Sequence, residues 1–317
     1  VPSADRASAD QDLVRGIGAW ALTAFAVNAM IGAGIFGLPA RIQGLTGNYS
    51  VLVILGCGAL IAMIALCFAE VASRFERTGG PQLYTSVAFG QIPGFTVGWL
   101  TWISRLASAS AVANLMVDYA TVLSGSLAGP YPRAFMISTV ILAYTWINVR
   151  GIRQASAVIT SFTIAKLIPL LAFALVGLFF IEPESLQLGT VPSSRDAATA
   201  ILLATFAFFG FDATAVVAGE ARDARRSVPF AIFVSVAGVA ALYCLIQLVC
   251  VGTLPDLASS ERPLADAATL FVGPWGAIAI AVGAVISCIG MIGSTFTTAT
   301  RTVFAMSDQA QLPALLA

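Results

Sequence analysis

Four ionisable side chains interrupt otherwise apolar stretches of this 317-residue chain: Arg105, Asp118, Lys166 and Asp212. Charges in hydrocarbon are expensive, so such groups are by default functional or mutually paired. These four sum to zero. Lys166, in Thr163-Ile164-Ala165-Lys166-Leu167-Ile168-Pro169, stands too far from any polar flank to snorkel easily, and its amine offers three hydrogen-bond donors. Two glycine-bearing interruptions accompany the charges. Asn28-Ala29-Met30-Ile31-Gly32-Ala33-Gly34-Ile35-Phe36-Gly37 places three glycines within six residues, and Phe208-Phe209-Gly210-Phe211-Asp212 sets a glycine beside an acid. Glycine lets a helix unwind, and an unwound segment presents free N–H groups where the helix dipole favours an anion. Ile31, Gly32, Ala33, Gly34 and Ile35 are therefore expected to cradle a carboxylate, while carbonyls around Phe206, Ala207, Phe209 and Gly210 can accept hydrogen bonds from an ammonium group. The alternative for either interruption is close helix packing through small residues.

Other chemistries are excluded or unsupported. With His 0, imidazole triads and imidazole zinc sites are ruled out, and no metal site or cofactor is expected. Sixteen basic residues balance sixteen acidic ones, so no basic excess recruits nucleic acid. Cys57, Cys67, Cys244, Cys250 and Cys288 form no CxxC pair and read as small core residues. No nucleophile with a positioned base and no phosphate loop supports an enzyme.

The elements that must position the charged groups follow from composition. The chain is 58% hydrophobic and 10% charged, the balance of a membrane protein. Uncharged runs of about 20 residues are candidate spanning helices. Eight are expected: between Arg15 and Arg41, between Arg41 and Glu70, and over 94–123, 132–149, 156–181, 197–219, 227–255 and 267–300. Ten arginines in one set of loops (Arg6, Arg15, Arg74, Arg77, Arg150, Arg153, Arg222, Arg225, Arg226, Arg301) against four in the other (Arg41, Arg133, Arg195, Arg262) predict both termini in the cytoplasm. The polar first sixteen residues are read as a cytoplasmic segment before a retained first helix. The two interruptions are five spans apart. That odd offset reverses the direction of the second half, as an inverted repeat demands, so a shared binding cavity is preferred over packing. Residues 17–181 form the first five-helix repeat and 197–317 an incomplete second one of three helices.

Met30-Ile31-Gly32-Ala33-Gly34-Ile35-Phe36-Gly37-Leu38-Pro39 resembles the first-span signature of the amino acid–polyamine–organocation superfamily of permeases. Phe206-Ala207-Phe208-Phe209-Gly210-Phe211-Asp212, followed by Ala218-Gly219-Glu220-Ala221-Arg222-Asp223-Ala224-Arg225-Arg226-Ser227-Val228-Pro229, is similar to its sixth span and the loop after it. Gly79-Gly80-Pro81 with Tyr84, and Arg301-Thr302-Val303-Phe304-Ala305-Met306 with Leu312-Pro313, extend the resemblance from about Trp20 to the end. Such permeases usually have twelve spans, and Ala224 stands where their loop usually has proline.

The resemblance implies an all-α membrane protein with about eight transmembrane helices of a five-plus-five inverted-repeat (LeuT-like) transporter fold, the second repeat incomplete. It implies a secondary transporter in the cell membrane that moves amino acids or related amines, with the lipid bilayer and, if proton-coupled, protons as its other partners. The other possibility is a transport-incompetent remnant or regulatory membrane subunit. It further implies that an aromatic at Phe206 closes over substrate as a gate, against lipid-facing or core filler as the alternative. Lys166 matches a fifth-span lysine that stands where sodium-coupled relatives bind sodium, so transport would be sodium-independent, either proton-coupled or exchange; the alternative is a structural amine bonded to first-span carbonyls. Arg105 falls near a third-span position that faces substrate in relatives, where it could select a polar or acidic side chain, though pairing with an acid is preferred. Asp212 is either a protonatable carboxylate lining the path or the partner of a cation. Asp118 is read as structural, and Glu70, Glu220, Arg222, Arg225 and Arg226 as a cytoplasmic gate-locking set.

Overall fold

The computed structural model describes residues 16–32, 34–127, 129–150 and 152–313. Ala33 and most of the expected N-terminal segment lie outside the described residues. The first expected span is two helices, α1 (Ala19–Met30) and α2 (Leu38–Thr46), separated by residues 31–37, with a 3₁₀ turn at Gly34–Phe36. Then come α3 (Ser50–Ala72), α4 (Pro81–Phe89), α5 (Gln91–Leu123), α6 (Pro130–Val149) and α7 (Ile152–Gly177). The sixth expected span is also divided, into α8 (Ser194–Phe208) and the short α9 (Ala213–Val216). The chain continues as α10 (Ala224–Thr253), α11 (Pro263–Val272) and α12 (Pro274–Asp308).

Local chemistry sets several of these boundaries. Prolines open α4, α6, α11 and α12, where the missing N–H costs nothing because the first helical donors have no intrahelical partner. The Ser193 Oγ accepts from the Asp196 N–H at 3.2 Å to cap α8, and an Asp223 carboxylate oxygen accepts from the Arg226 N–H at 3.4 Å to cap α10. Ala224 thus begins a helix at the position proline favours, and the Asp223 cap starts that helix without it.

Five stretches are, by length and composition, long and apolar enough to cross a membrane: Leu38–Ala72, Ser156–Phe180, Ser194–Val216, Ala224–Thr253 and Pro274–Asp308. Helices α5 and α6, with 33 and 20 residues, reach roughly 50 and 30 Å at about 1.5 Å per residue, so length suffices although both are more polar. One expectation needs correction. The eighth span does not begin near residue 267: α11 is a separate helix, and Gly273, with φ +73°, turns the chain before α12 starts at Pro274. Absence of charge marks an apolar interval, but it does not show a bend within one.

Helix α1 lies at the centre, packed on α7, α10 and α12, while α12 runs along α5 and α10 along α3. The first broken segment therefore sits among continuous helices, which is where irregular backbone is tolerated at membrane depth, and α8 packs beside it on α2 and α3.

Candidate functional site

The two interruptions touch. Gly210 adopts φ +120°, and a Cβ built there would stand 2.7 Å from both the carbonyl carbon and the oxygen of Ala29. Only glycine allows the second break to lie this close against the end of α1. The remaining glycines divide the two explanations between them. At Gly32 a Cβ would meet the Met291 sulfur at 2.1 Å, so that glycine serves close packing against α12. At Gly34 and Gly37 nothing lies within 4 Å, and Gly34 is exposed. Gly34 starts the 3₁₀ turn, whose first N–H groups have no partner within the turn and border open space. Ile31 and Ile35 are buried beside it.

The carbonyls at the end of α1 are held by side chains from three other helices. Lys166 of α7, fully buried, donates from Nζ to the Asn28 carbonyl at 3.0 Å and to that of Ile31. Ser287 of α12 donates its hydroxyl to the Ile31 or Gly32 carbonyl, at 3.1 and 3.2 Å. Tyr243 of α10 has its hydroxyl 3.2 Å from the Met30 carbonyl and 3.3 Å from that of Ala207, so one donor serves the broken ends of both halves. The Asn28 amide donates to the Gly290 carbonyl at 2.5 Å and to Ser294 Oγ at 2.7 Å. An ammonium among carbonyls at a helix C-terminus meets the negative end of the dipole and needs no carboxylate beside it. Sequence reasoning missed Asn28, Tyr243, Ser287 and Met291, since polar or flexible residues scattered in apolar helices give no local signal of contacts made more than 200 residues away.

The second break departs in part from expectation. The Phe206 carbonyl already accepts the Phe209 N–H at 3.3 Å and the Ala207 carbonyl the Tyr243 hydroxyl, so each offers one remaining lone pair. Of the aromatic residues, Phe208 and Phe211 are core, whereas Phe206 and Phe209 are 68% and 58% exposed and meet edge to face at 6.5 Å. Phe206 is thus not core filler. Arg105 and Asp212 pair, Nη2 to Oδ2 at 2.6 Å, as expected for two charges within spans. Asp118 pairs with Arg133 at 2.5 Å, away from the breaks. A cavity of about 280 Å³, lined in part by Tyr119, Leu123, Arg262, Asp266 and Ile278, adjoins the first break through the Phe36–Tyr119 ring contact at 5.8 Å.

At the other end of α1 the backbone is latched to the loop between α9 and α10. The Gly16 and Ile17 N–H groups both donate to the Glu220 carbonyl at 3.1 Å, and the Arg222 N–H donates to that of Ile17 at 3.0 Å. The Glu220 side chain is fully buried, and Arg301 Nε approaches it to 2.6 Å off the N–H axis, so the contact is one of charge and neither carboxylate oxygen accepts a hydrogen bond. Burial pushes the Glu220 carboxyl up from 4.5 to about 7, outweighing the Arg301 charge. A carboxyl raised in the folded state disfavours folding increasingly as pH rises from 4.5 towards 7, by at most about 1.4 kcal/mol per pH unit. Glu220→Gln should therefore match the parent's thermal stability near pH 4.5 and exceed it above pH 7. Parallel melting curves for the two proteins across that range would refute the buried, unsatisfied carboxyl.

A family model described as amino acid permease matches residues 17–317. The chain is 28% identical to a methylthioribose transporter of Bacillus subtilis, over 98% of this chain and 71% of that one. It is 28% identical to cationic amino acid transporter 4 of Homo sapiens, over 90% of this chain and 48% of the relative, and 29% identical to an arginine/ornithine antiporter of Pseudomonas aeruginosa, over 93% and 64%. The chain thus spans between about half and seven tenths of the length of these relatives. The crystal structure of MhsT in complex with L-phenylalanine superposes with a TM-score of 0.66 at 17% identity, covering 96% of this chain and 79% of MhsT. That likeness supports the inverted-repeat transporter fold for this multi-pass membrane protein. With its family signature running unbroken across both interruptions and the helices that cage them, the chain belongs to the amino acid permease family of the amino acid–polyamine–organocation superfamily.

Proposed function

We propose that this chain carries the substrate site of a sodium-independent secondary transporter for amino acids or related amines. The observation that carries this reading is the 3₁₀ turn at Gly34, an exposed position with nothing within 4 Å of an added Cβ, four residues beyond Met30, where Gly210 of the second break abuts the first. Of the expected cradle Ile31, Gly32, Ala33, Gly34 and Ile35, the Ile31 and Gly32 N–H groups already donate to the Val27 and Met30 carbonyls at 2.9 and 3.0 Å. The donors of Gly34 and Ile35 in the 3₁₀ turn therefore hold the substrate carboxylate, and the free lone pairs around Phe206, Ala207, Phe209 and Gly210 receive its ammonium. The exposed Phe206 ring closes over the bound molecule. Lys166 replaces a coupling cation, leaving proton coupling or exchange as the driving force. Residues 17–181 and 197–317 act as opposed repeats in a cell membrane, with both termini cytoplasmic, and Glu220 with its neighbours locks the cytoplasmic side. The named cargo of relatives, from arginine and ornithine to methylthioribose, sets the range of small polar molecules to try first.

Gly34→Leu tests the cradle. Open space around the position accommodates leucine without displacing packed atoms, so the protein inserts and folds, while the side chain covers the donors. Losing two hydrogen bonds to a charged group, each worth about 1.5–3 kcal/mol, should weaken amino acid binding by about 100-fold or more. The measurement is ligand-induced thermal stabilisation in nanodiscs with a panel of L-amino acids. Undiminished binding in an inserted variant moves the site elsewhere.

A further inference from the structure

We propose that Glu220 is a proton-binding site that governs the cytoplasmic latch: a proton on its carboxyl keeps the start of α1 bound, and losing that proton to the cytoplasm lets the latch part. The inference rests on the reading above that Glu220 and its neighbours lock this side, and adds what works the lock.

One residue carries both halves of the device. The Glu220 carbonyl accepts the Gly16 and Ile17 N–H groups, Ile17 bridges to Ala221, and the Arg222 N–H returns to the Ile17 carbonyl. The side chain of the same residue is shut away from water, and neither of its carboxylate oxygens accepts a hydrogen bond. A neutral carboxyl bears such a position far better than a carboxylate, because burial without hydrogen bonds penalises a charge much more than a polar group. Parting the latch releases the backbone that carries this side chain, so water reaches the carboxyl as the latch opens and charge on the carboxyl favours opening.

The surrounding charges do not remove the penalty. Helices α1 and α9 contain no ionisable side chain. From α12 comes Arg301, whose Nε stands 2.6 Å from Oε1 and is itself without a hydrogen bond. From α10 comes Arg225, which pairs with Glu76 at 2.8 Å, while Arg77 pairs with Asp308 at 2.8 Å. Arg222, Asp223 and Arg226 are exposed. The chain has no histidine, so no imidazole titrates beside the carboxyl. With the latched carboxyl at about 7 and a carboxyl freed into water at 4.5, the latched form holds a proton between those values that the parted form does not. Opening then becomes about tenfold easier per pH unit across that range and levels off above it, where both forms are charged. An acidified cytoplasm holds the latch shut, and a neutral one leaves it free to open.

The test is amide hydrogen exchange on the purified chain in lipid nanodiscs from about pH 5 to about pH 8.5, with each rate divided by the intrinsic chemical rate at that pH. In the parent, protection of the Gly16, Ile17 and Arg222 amides should fall about tenfold from about pH 5.5 to about pH 6.5 and flatten above about pH 7.5. Glu220→Gln keeps the shape and is neutral at every pH, so those amides should stay protected throughout. Arg301→Gln removes the charge that favours the carboxylate and should move the fall to higher pH. A parent whose latch protection ignores pH overturns the inference, and this measurement needs no variant to fold. A Glu220→Gln profile with the parent's slope also overturns it. The lock is tested apart from the proton by tying the latch with Ile17→Cys and Ala221→Cys oxidised to a disulfide. If the tied protein stalls amino acid exchange in liposomes while latch protection in the parent ignores pH, the lock stands and the proton site falls. If the tied protein exchanges as fast as its reduced form, the locking reading falls and the control of opening by Glu220 falls with it.

Discussion

Gly210→Ala should destabilise the protein by about 2–6 kcal/mol, combining about 1–3 for backbone strain with about 1–3 for overpacking. The residue has φ +120°, and its added methyl would fall 2.7 Å from the Ala29 carbonyl carbon and oxygen. These are backbone atoms of α1, whose end is held by Lys166, Tyr243 and Ser287, so they cannot move aside without breaking those bonds. Gly34→Ala is the internal control. The same chemical change there meets no atom within 4 Å and requires no unusual φ, so its cost should stay near the usual penalty-free range for an exposed position. Thermal unfolding in detergent, with both variants compared to the parent, reads the difference. Equal midpoints for Gly210→Ala and Gly34→Ala would mean that the two breaks do not touch.

Lys166→Met is expected to weaken amino acid binding by about tenfold or more and to flatten whatever pH dependence the lysine confers. Methionine keeps much of the volume but removes all three donors. The Ile31 carbonyl retains Ser287, whereas the Asn28 carbonyl loses its side-chain partner, and leaving a buried acceptor unsatisfied costs about 1–3 kcal/mol. The end of α1 then loses the arrangement that presents Gly34. In the parent, exchanging sodium for choline at constant ionic strength should leave binding unchanged, because the ammonium already occupies the carbonyl cage. Affinity measured from pH 5.5 to 8.5 in the parent, Lys166→Met and Asp212→Asn separates the two titratable candidates. If Lys166→Met keeps the parent's profile while Asp212→Asn flattens it, the lysine is scaffolding and the aspartate is the proton-sensitive group. A sodium requirement would likewise end the substitution argument.

How far the molecule was legible in its sequence depends on whether the signal is local. The breaks at Gly32–Gly37 and Gly210 were legible because glycine spacing is a property of neighbouring residues. That Arg105 would pair with an acid was legible, since a charge within a span is costly alone, but that the acid is Asp212 was not, because Lys166 found carbonyls and Asp118 found Arg133 instead. What each glycine does was not. Gly32 against Met291 and Gly34 against open space have the same local sequence character, and only the position of α12 separates them. Phe206 and Phe208 differ likewise: positions three apart share a helix face, so Phe206 goes with exposed Phe209 while Phe208 turns into the core. The α11–α12 bend carried a Gly-Pro signal at Gly273-Pro274, but a search for charges alone passes over it.

The contact between Gly210 and Ala29 also fixes a lever. It lies at one end of α1, and the latch of Ile17 to Glu220 and Ala221 lies at the other, with a helix of 12 residues between them. At about 1.5 Å per residue that arm is roughly 18 Å long. A swing of about 10° around the glycine contact displaces the far end by about 3 Å, as much as the length of a hydrogen bond, while atoms beside the fulcrum scarcely shift. The three backbone bonds of the latch would part at an angle that leaves the carbonyl cage around Lys166 nearly intact. A rotation of α1 about that contact would thus be registered first at the latch, where its amplitude is greatest.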